Sequence, residues 1–116
     1  MAALFKILEY SEAGRSPFAD WFDDLDAVTA VKVDRYIRRL ELGNFGVAKA
    51  LREGVFELRL DFGPGYRVYF GREGATLVIL LGGGDKRRQA ADIAAAIERW
   101  RQYKLTRWWY GFDTGI

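Results

Sequence analysis

The chain has 116 residues, of which 50% are hydrophobic and 16% aromatic, so it can bury one real core and is too apolar to be disordered. It has no cysteine and no histidine, which excludes a disulfide framework and zinc–thiolate sites and removes the commonest metal ligand and neutral-pH general base. Lys and Arg number 18 against 16 Asp and Glu, a net charge of +2, so any surface for a polyanion has to come from local clustering.

Arginine outnumbers lysine, which suits bidentate contacts to phosphate. No run of apolar residues is long enough to span a bilayer, and the first residues carry no signal-peptide pattern. The expectation is a soluble, cytoplasmic, single-domain protein over 1–116, with 104–116 as an aromatic C-terminal extension.

Residues 4–10 (LFKILEY) predict a first strand and 11–15 a loop. Ser16-Pro17 suits a helix start, because serine caps and proline fits the first helical position. Phe18, Trp21, Phe22 and Leu25 then recur at helical spacing, giving a short helix with one aromatic stripe. Asp20, Asp23, Asp24 and Asp26 cover its other side. Such carboxylates can hold a metal or act as acid and base; a solvated acidic face is the reading preferred.

A second helix is predicted over 27–42, with Ala30, Val33, Ile37 and Leu40 as its apolar stripe and Tyr36 alongside. Lys32, Arg35, Arg38 and Arg39 form a basic face, read as solvated rather than as a nucleic-acid contact. Gly43 or Asn44 ends the helix in a left-handed cap. The two helices should lie as a hairpin on a sheet.

That sheet is written into residues 51–89. From 55 to 62 the even positions Phe56, Leu58, Leu60 and Phe62 are apolar and the odd positions Glu57, Arg59 and Asp61 are charged, the period of a half-buried strand. Gly63-Pro64-Gly65 turns the chain. Tyr66, Val68 and Phe70 continue the apolar face, with Arg67 and Tyr69 opposite. A register pairing Phe62 with Tyr66 sets Arg59 across from Tyr69 and Arg67 across from Asp61. After a turn at 71–74, residues 75–81 are almost wholly apolar, as in a strand covered on both faces. The three strands should form an antiparallel meander.

Gly82-Gly83-Gly84 leads to Asp85, a candidate N-cap for a third helix buried through Ile93, Ile97 and Trp100 with Ala90 and Ala96. Lys86, Arg87, Arg88 and Gln89 occupy its first turn. Cations are unfavourable there, and their clustering suggests that an anion binds. The tail KLTRWWYGFDTGI is too apolar for a solvated linker and is expected to pack back on the domain.

The strings LREGVFELR, GPGYRVYF, LVILLGGGDKRRQ and ADIAAAI, preceded by two helices, resemble the RelE/ParE toxin superfamily, in particular the HigB-like addiction module killer proteins of type II toxin–antitoxin systems. The resemblance covers residues 4–103. It implies a RelE-like α+β fold: an N-terminal strand, a helical hairpin, an antiparallel sheet of about four strands and a C-terminal helix. RelE-like members cut mRNA on the translating ribosome without a metal, whereas ParE-like members inhibit DNA gyrase and cut nothing. The implied partners are a cognate helix-turn-helix antitoxin and ribosome-bound mRNA, with no membrane and no cofactor.

Carried over by position, the resemblance makes Arg59, Arg67, Lys86 and Arg87 catalytic candidates and Arg52 an RNA-binding one, with Arg88 and Gln89 beside the basic pair. Glu57 stands where RelE members carry a further lysine, and Ile93 where they carry a tyrosine.

Cleavage by the 2′-hydroxyl needs a base, stabilisation of the phosphorane and an acid for the leaving 5′-oxygen. Arg59, Arg67 and Arg87 suit the second task, with Lys86 adding a point charge. Glu57, Tyr69 and Lys86 are the candidates for proton transfer, with the phenol of Tyr69 expected to be acidified by Arg59. The competing reading of residues 57, 59, 61 and 67 is a solvated face with weak ion pairs. The alternative function is a non-enzymatic ParE-like toxin inhibiting DNA gyrase or another protein target, and a third is a degenerate member that only binds its antitoxin. Truncation after Tyr103 is expected to lower the melting temperature; an unchanged value points to a partner-binding tail.

Overall fold

The computed structural model describes the backbone of residues 4–113 and the side chains of residues 4–107. The side chains of Trp108, Trp109, Tyr110 and Phe112, expected to cover an apolar patch, lie outside the described residues. The elements run β1 (Lys6–Glu9), α1 (Pro17–Asp23), α2 (Ala27–Glu41), β2 (Ala48–Ala50), β3 (Val55–Arg59), β4 (Arg67–Glu73), β5 (Leu77–Gly84), a 3-10 turn (Lys86–Arg88) and α3 (Gln89–Asp113).

The class is α+β, as expected, but the sheet has five strands in the order β1-β5-β4-β3-β2 and is mixed. β2–β3, β3–β4 and β4–β5 pair antiparallel. β1 runs parallel to β5, with Ile7 beside Val78, since the helical pair and the meander carry the chain across before β5 returns. β2 escaped the sequence reading because three short, partly exposed residues carry no apolar alternation.

Local signals set the helix ends. The Ser16 hydroxyl accepts from the Ala19 N–H at 3.0 Å with Pro17 at the first helical position. Asp26 accepts from Thr29 N–H at 2.8 Å to start α2, so this carboxylate is a cap. Gly43, at φ +83°, closes that helix in the left-handed region.

Both faces of the sheet are covered. On one, Phe18 of α1 and Val33, Ile37 and Leu40 of α2 pack on Leu58, Leu60, Val68, Phe70, Val78 and Leu80. On the other, Ala96, Ile97 and Trp100 of α3 pack on Val55, Tyr69, Ile79 and Leu81. Ile93 is half-buried and Ala90 exposed, so the α3 stripe is centred one turn later than the sequence suggested. The basic face of α2 is largely occupied locally: Arg38 pairs with Asp34 and Glu41, while Arg39 and Lys32 sit over the rings of Tyr36 and Phe62. Among the described residues, no helix is long and apolar enough to cross a membrane.

Each helical layer is seated through an indole on a strand glycine. Trp21 of α1 lies over Gly83 and Trp100 of α3 over Gly71, so neither strand position has room for a side chain. A methyl group at Gly71 would stand 2.5–2.6 Å from the Trp100 ring. Gly71→Ala is therefore expected to cost about 1–3 kcal/mol. Gly46→Ala, where the added carbon meets only the Asn44 side-chain oxygen at 3.4 Å, should stay within about 0.5 kcal/mol. Equilibrium urea unfolding checks both.

Candidate functional site

The β3–β4 register differs by two residues from the one read in the sequence: Leu58 faces Val68, Glu57 faces Tyr69 and Arg59 faces Arg67. The ladder closes with Leu60 N–H donating to the Tyr66 carbonyl at 2.9 Å, so residues 60–66 form a wider loop than a tight Gly-Pro-Gly turn. Arg59 therefore does not face Tyr69, and Arg67 does not face Asp61. Asp61 accepts from the Tyr36 hydroxyl of α2 and is not part of the charged row.

Residues 57, 59, 67 and 69 share the sheet face that α3 covers, and this changes what they can do. Glu57 and Arg67 are buried, at 2% and 4% exposure, which corrects the expectation of an open charged surface. The Arg67 Nε lies 3.5 Å from the Glu57 carboxylate and has no hydrogen-bond partner among the described residues. An Arg67 terminal nitrogen donates to the Gly65 carbonyl at 2.6 Å. Gln89, placed with the RNA-binding residues by sequence, instead donates its side-chain amide to Glu57 at 2.9 Å. One carboxylate thus joins the start of α3 to β3 and lies against β4.

Tyr69 is buried at 1% exposure, and its hydroxyl has no hydrogen-bond partner among the described residues. Burial, and secondarily the charge of Glu57, push the phenol well above its ordinary value of 10.0. This reverses the expected acidification: Arg67 lowers the phenol pKa, but less than burial and Glu57 raise it.

An accessible basic rim remains at the end of β5. Arg59, Lys86, Arg87 and Arg88 are exposed. Lys86 N–H donates to the Pro64 carbonyl at 3.3 Å, and the Lys86 Cβ lies against Gly65, so the 60–66 loop and the 3-10 turn form one unit. Asp85 caps that turn, accepting from Arg87 N–H at 2.9 Å and pairing with the Arg87 guanidinium at 3.0 Å. Among the described residues, Arg59, Lys86 and Arg88 make no ion pair within 4 Å. Arg52 belongs elsewhere: it precedes the Glu53–Gly54 turn before β3, at the opposite end of a strand about 13 Å long.

Asp92 was missed. Its carboxylate lies over Gly84, the residue beside Arg67 in the β4–β5 ladder, and burial raises its pKa. The available signal was the glycine run before a helix with an acid in its first turn, because a strand without side chains lets a helix approach closely.

A buried hydroxyl without a partner contributes nothing that a phenyl ring would lose. Tyr69→Phe is therefore expected to leave stability unchanged or raise it by about 1 kcal/mol at neutral pH. The native phenol, held neutral in the fold, makes stability fall as pH rises past the ordinary phenol value, because only the unfolded chain ionises there. Urea unfolding of the two proteins between neutral pH and pH about 11 should show a smaller alkaline loss for Tyr69→Phe.

Residues 20–101 match the family described as Phage derived protein Gp49-like (DUF891). An uncharacterized protein of Haemophilus influenzae is 48% identical over 80 residues, covering 68% of this chain and 81% of that protein. The matched span runs from α1 to the middle of α3 and includes the buried Glu57–Arg67 pair and the whole basic rim. The chain belongs to the Gp49-like phage-derived family, which is associated with toxin–antitoxin systems.

Proposed function

We propose that this protein is the toxin of a type II toxin–antitoxin module and acts as a metal-independent mRNA interferase on ribosome-bound transcripts. The observation that carries this reading is the exposed rim of Arg59, Lys86, Arg87 and Arg88, three of whose four cations have no carboxylate partner among the described residues. Such a rim suits consecutive phosphates of a single strand. Its members are fixed by backbone: Arg59 by the β3 ladder, and Lys86 to Arg88 by the Asp85 cap and the loop contact.

On this reading the rim bends the RNA backbone towards in-line attack and neutralises the charge that develops on the phosphorane. Of the three proton-transfer candidates, Glu57 and Tyr69 are buried and Lys86 is exposed. Lys86 is then the group able to protonate the departing 5′-oxygen. The neutralising partner is a cognate antitoxin with a helix-turn-helix domain, and the site of action is the cytoplasm.

A second reading has its own observation. With Glu57 and Tyr69 both enclosed, no accessible carboxylate or phenol from the candidate set is left to act as the base. A ParE-like toxin that binds gyrase or another protein needs none.

Induced expression of the wild type, Arg59→Ala and Lys86→Ala, followed by growth measurement and primer extension on cellular mRNA, separates the two. Each substitution is expected to reduce both growth arrest and mRNA cleavage by at least about tenfold, the loss typical of an electrostatic contact in the transition state. Growth arrest with intact mRNA and an SOS response would instead establish the second reading.

A further inference from the structure

Glu57 and Arg67 are the charged residues buried among those described, yet they do not close on each other. A buried arginine–carboxylate pair retained for the fold is expected to form short, often bidentate hydrogen bonds, because each partner has given up its water. Here the nearest approach is 3.5 Å, and the Nε–H makes no hydrogen bond among the described residues. The carboxylate is held by Gln89 instead.

Arg67 has cations beside it as well as the carboxylates of Glu57 and of Asp92 over Gly84. Arg59 is its direct partner in the β3 register, and Gly84 is its side-chain-free neighbour in β5. Lys86 lies beyond Gly65. Two arginines directly opposite each other on one sheet face repel, and an anion between them removes that cost. The 2.6 Å hydrogen bond of Arg67 ends on the carbonyl of Gly65. That residue belongs to a loop in which Gly63 and Gly65 both take positive φ, +63° and +77°, and in which Gly63 and Pro64 are exposed. The guanidinium thus lies directly beneath a surface loop, not deep in the core.

We propose that Glu57 is an internal competitor for phosphate at Arg67: its carboxylate faces the guanidinium at 3.5 Å in the free protein and gives way to a phosphodiester of bound RNA. This rests on the RNA-binding reading above and adds a fifth, concealed cation to the exposed rim. The exchange is one anion for another, with no bond made or broken. Glu57 therefore sets how tightly the protein engages that phosphate.

The test measures binding of a short single-stranded RNA with 2′-O-methyl riboses, which cannot be cleaved through the 2′-oxygen, by fluorescence anisotropy over a series of salt concentrations. Arg59→Ala is expected to weaken binding and flatten the slope of log K against log salt by about 0.7, the value for one phosphate contact on a single strand. Glu57→Gln, which keeps the acceptor for Gln89 and removes the charge, is expected to tighten binding severalfold with the slope unchanged, since Arg67 meets the same phosphate in both proteins. The double variant Glu57→Gln/Arg67→Ala should lose that gain.

If Glu57 has only a structural role, Glu57→Gln lowers the melting temperature without tightening binding, and the proposal is overturned while the Arg59 effect still stands. If the wild type does not bind the RNA and Arg59→Ala changes nothing, the RNA-binding reading itself fails. Should Glu57→Gln not fold, the wild type decides: the Arg67 Nε–H resonance is expected to shift and exchange more slowly with water on RNA addition. An unmoved resonance in a protein that binds RNA sinks the competitor role.

Discussion

A sheet covered on both faces has no neutral place for a charge, and this constraint shapes the whole molecule. Strands β3 to β5 lie between α1 and α2 on one side and α3 on the other. Any ionised group on the inner rows has to find a counter-charge or leave the sheet. Glu57 and Arg67 lie beside each other at 3.5 Å, with Gln89 and the Gly65 carbonyl taking their hydrogen bonds. Arg59, one pleat further along β3 than Glu57, escapes to solvent because α3 does not cover the end of the strand. Where the helical cover stops therefore separates concealed charge from available charge. The pair is a poor source of stability, since two desolvated ions at 3.5 Å recover little of their hydration, and well-packed apolar residues would serve the fold as well.

The edge of that cover is set by glycines. Trp100 fixes the middle of α3 by resting on Gly71, and Asp92 and Arg99 bring its first half down on Gly84 and Gly82. The Arg99 guanidinium donates to the Leu81 carbonyl at 3.0 Å, where a bulge between Tyr69 and Phe70 turns Leu81 and Gly82 towards the same helix. With α3 held so close, its first residue, Gln89, reaches Glu57. The three cations before it are then carried out past the end of β5. The basic rim follows from packing over side-chain-free strands, together with the Asp85 cap and its pairing with Arg87.

Much of this could be read from the chain alone. The helix caps at Ser16, Asp85 and Gly43, the aromatic stripe of α1 and the apolar stripe of α2 are local signals, and local signals survive folding. The register was not legible. An alternating strand shifted by two keeps every side chain on its face, so Phe62 opposite Tyr66 and Leu60 opposite Tyr66 look alike to hydrophobicity. The width of the 60–66 loop decides between them. The burial of Glu57, Arg67 and Tyr69 was missed for a related reason: charged residues at alternate positions imitate a solvated face. The correcting signal was Val55, Tyr69, Ile79 and Leu81, a second apolar set on that same face, which requires a helix to cover it. Charge dominated the reading of β3, where the long-range contact with α3 decides the outcome.

This arrangement also narrows the chemistry. The chain has no histidine, and the fold encloses one phenol and one carboxylate of the candidate set. A raised tyrosine pKa makes that phenol a poorer base at neutral pH, because its ionised form is disfavoured. What stays accessible is cationic. On the proposed interferase reading, such a site works by positioning and by charge, with Lys86 the accessible proton donor of the candidate set. Cleavage through the 2′-hydroxyl also needs a proton acceptor, which this surface does not offer among its candidate residues. On the proposed interferase reading that acceptor comes from outside the candidate set, and on the ParE-like reading none is needed, so the burial of Glu57 and Tyr69 is what separates the two.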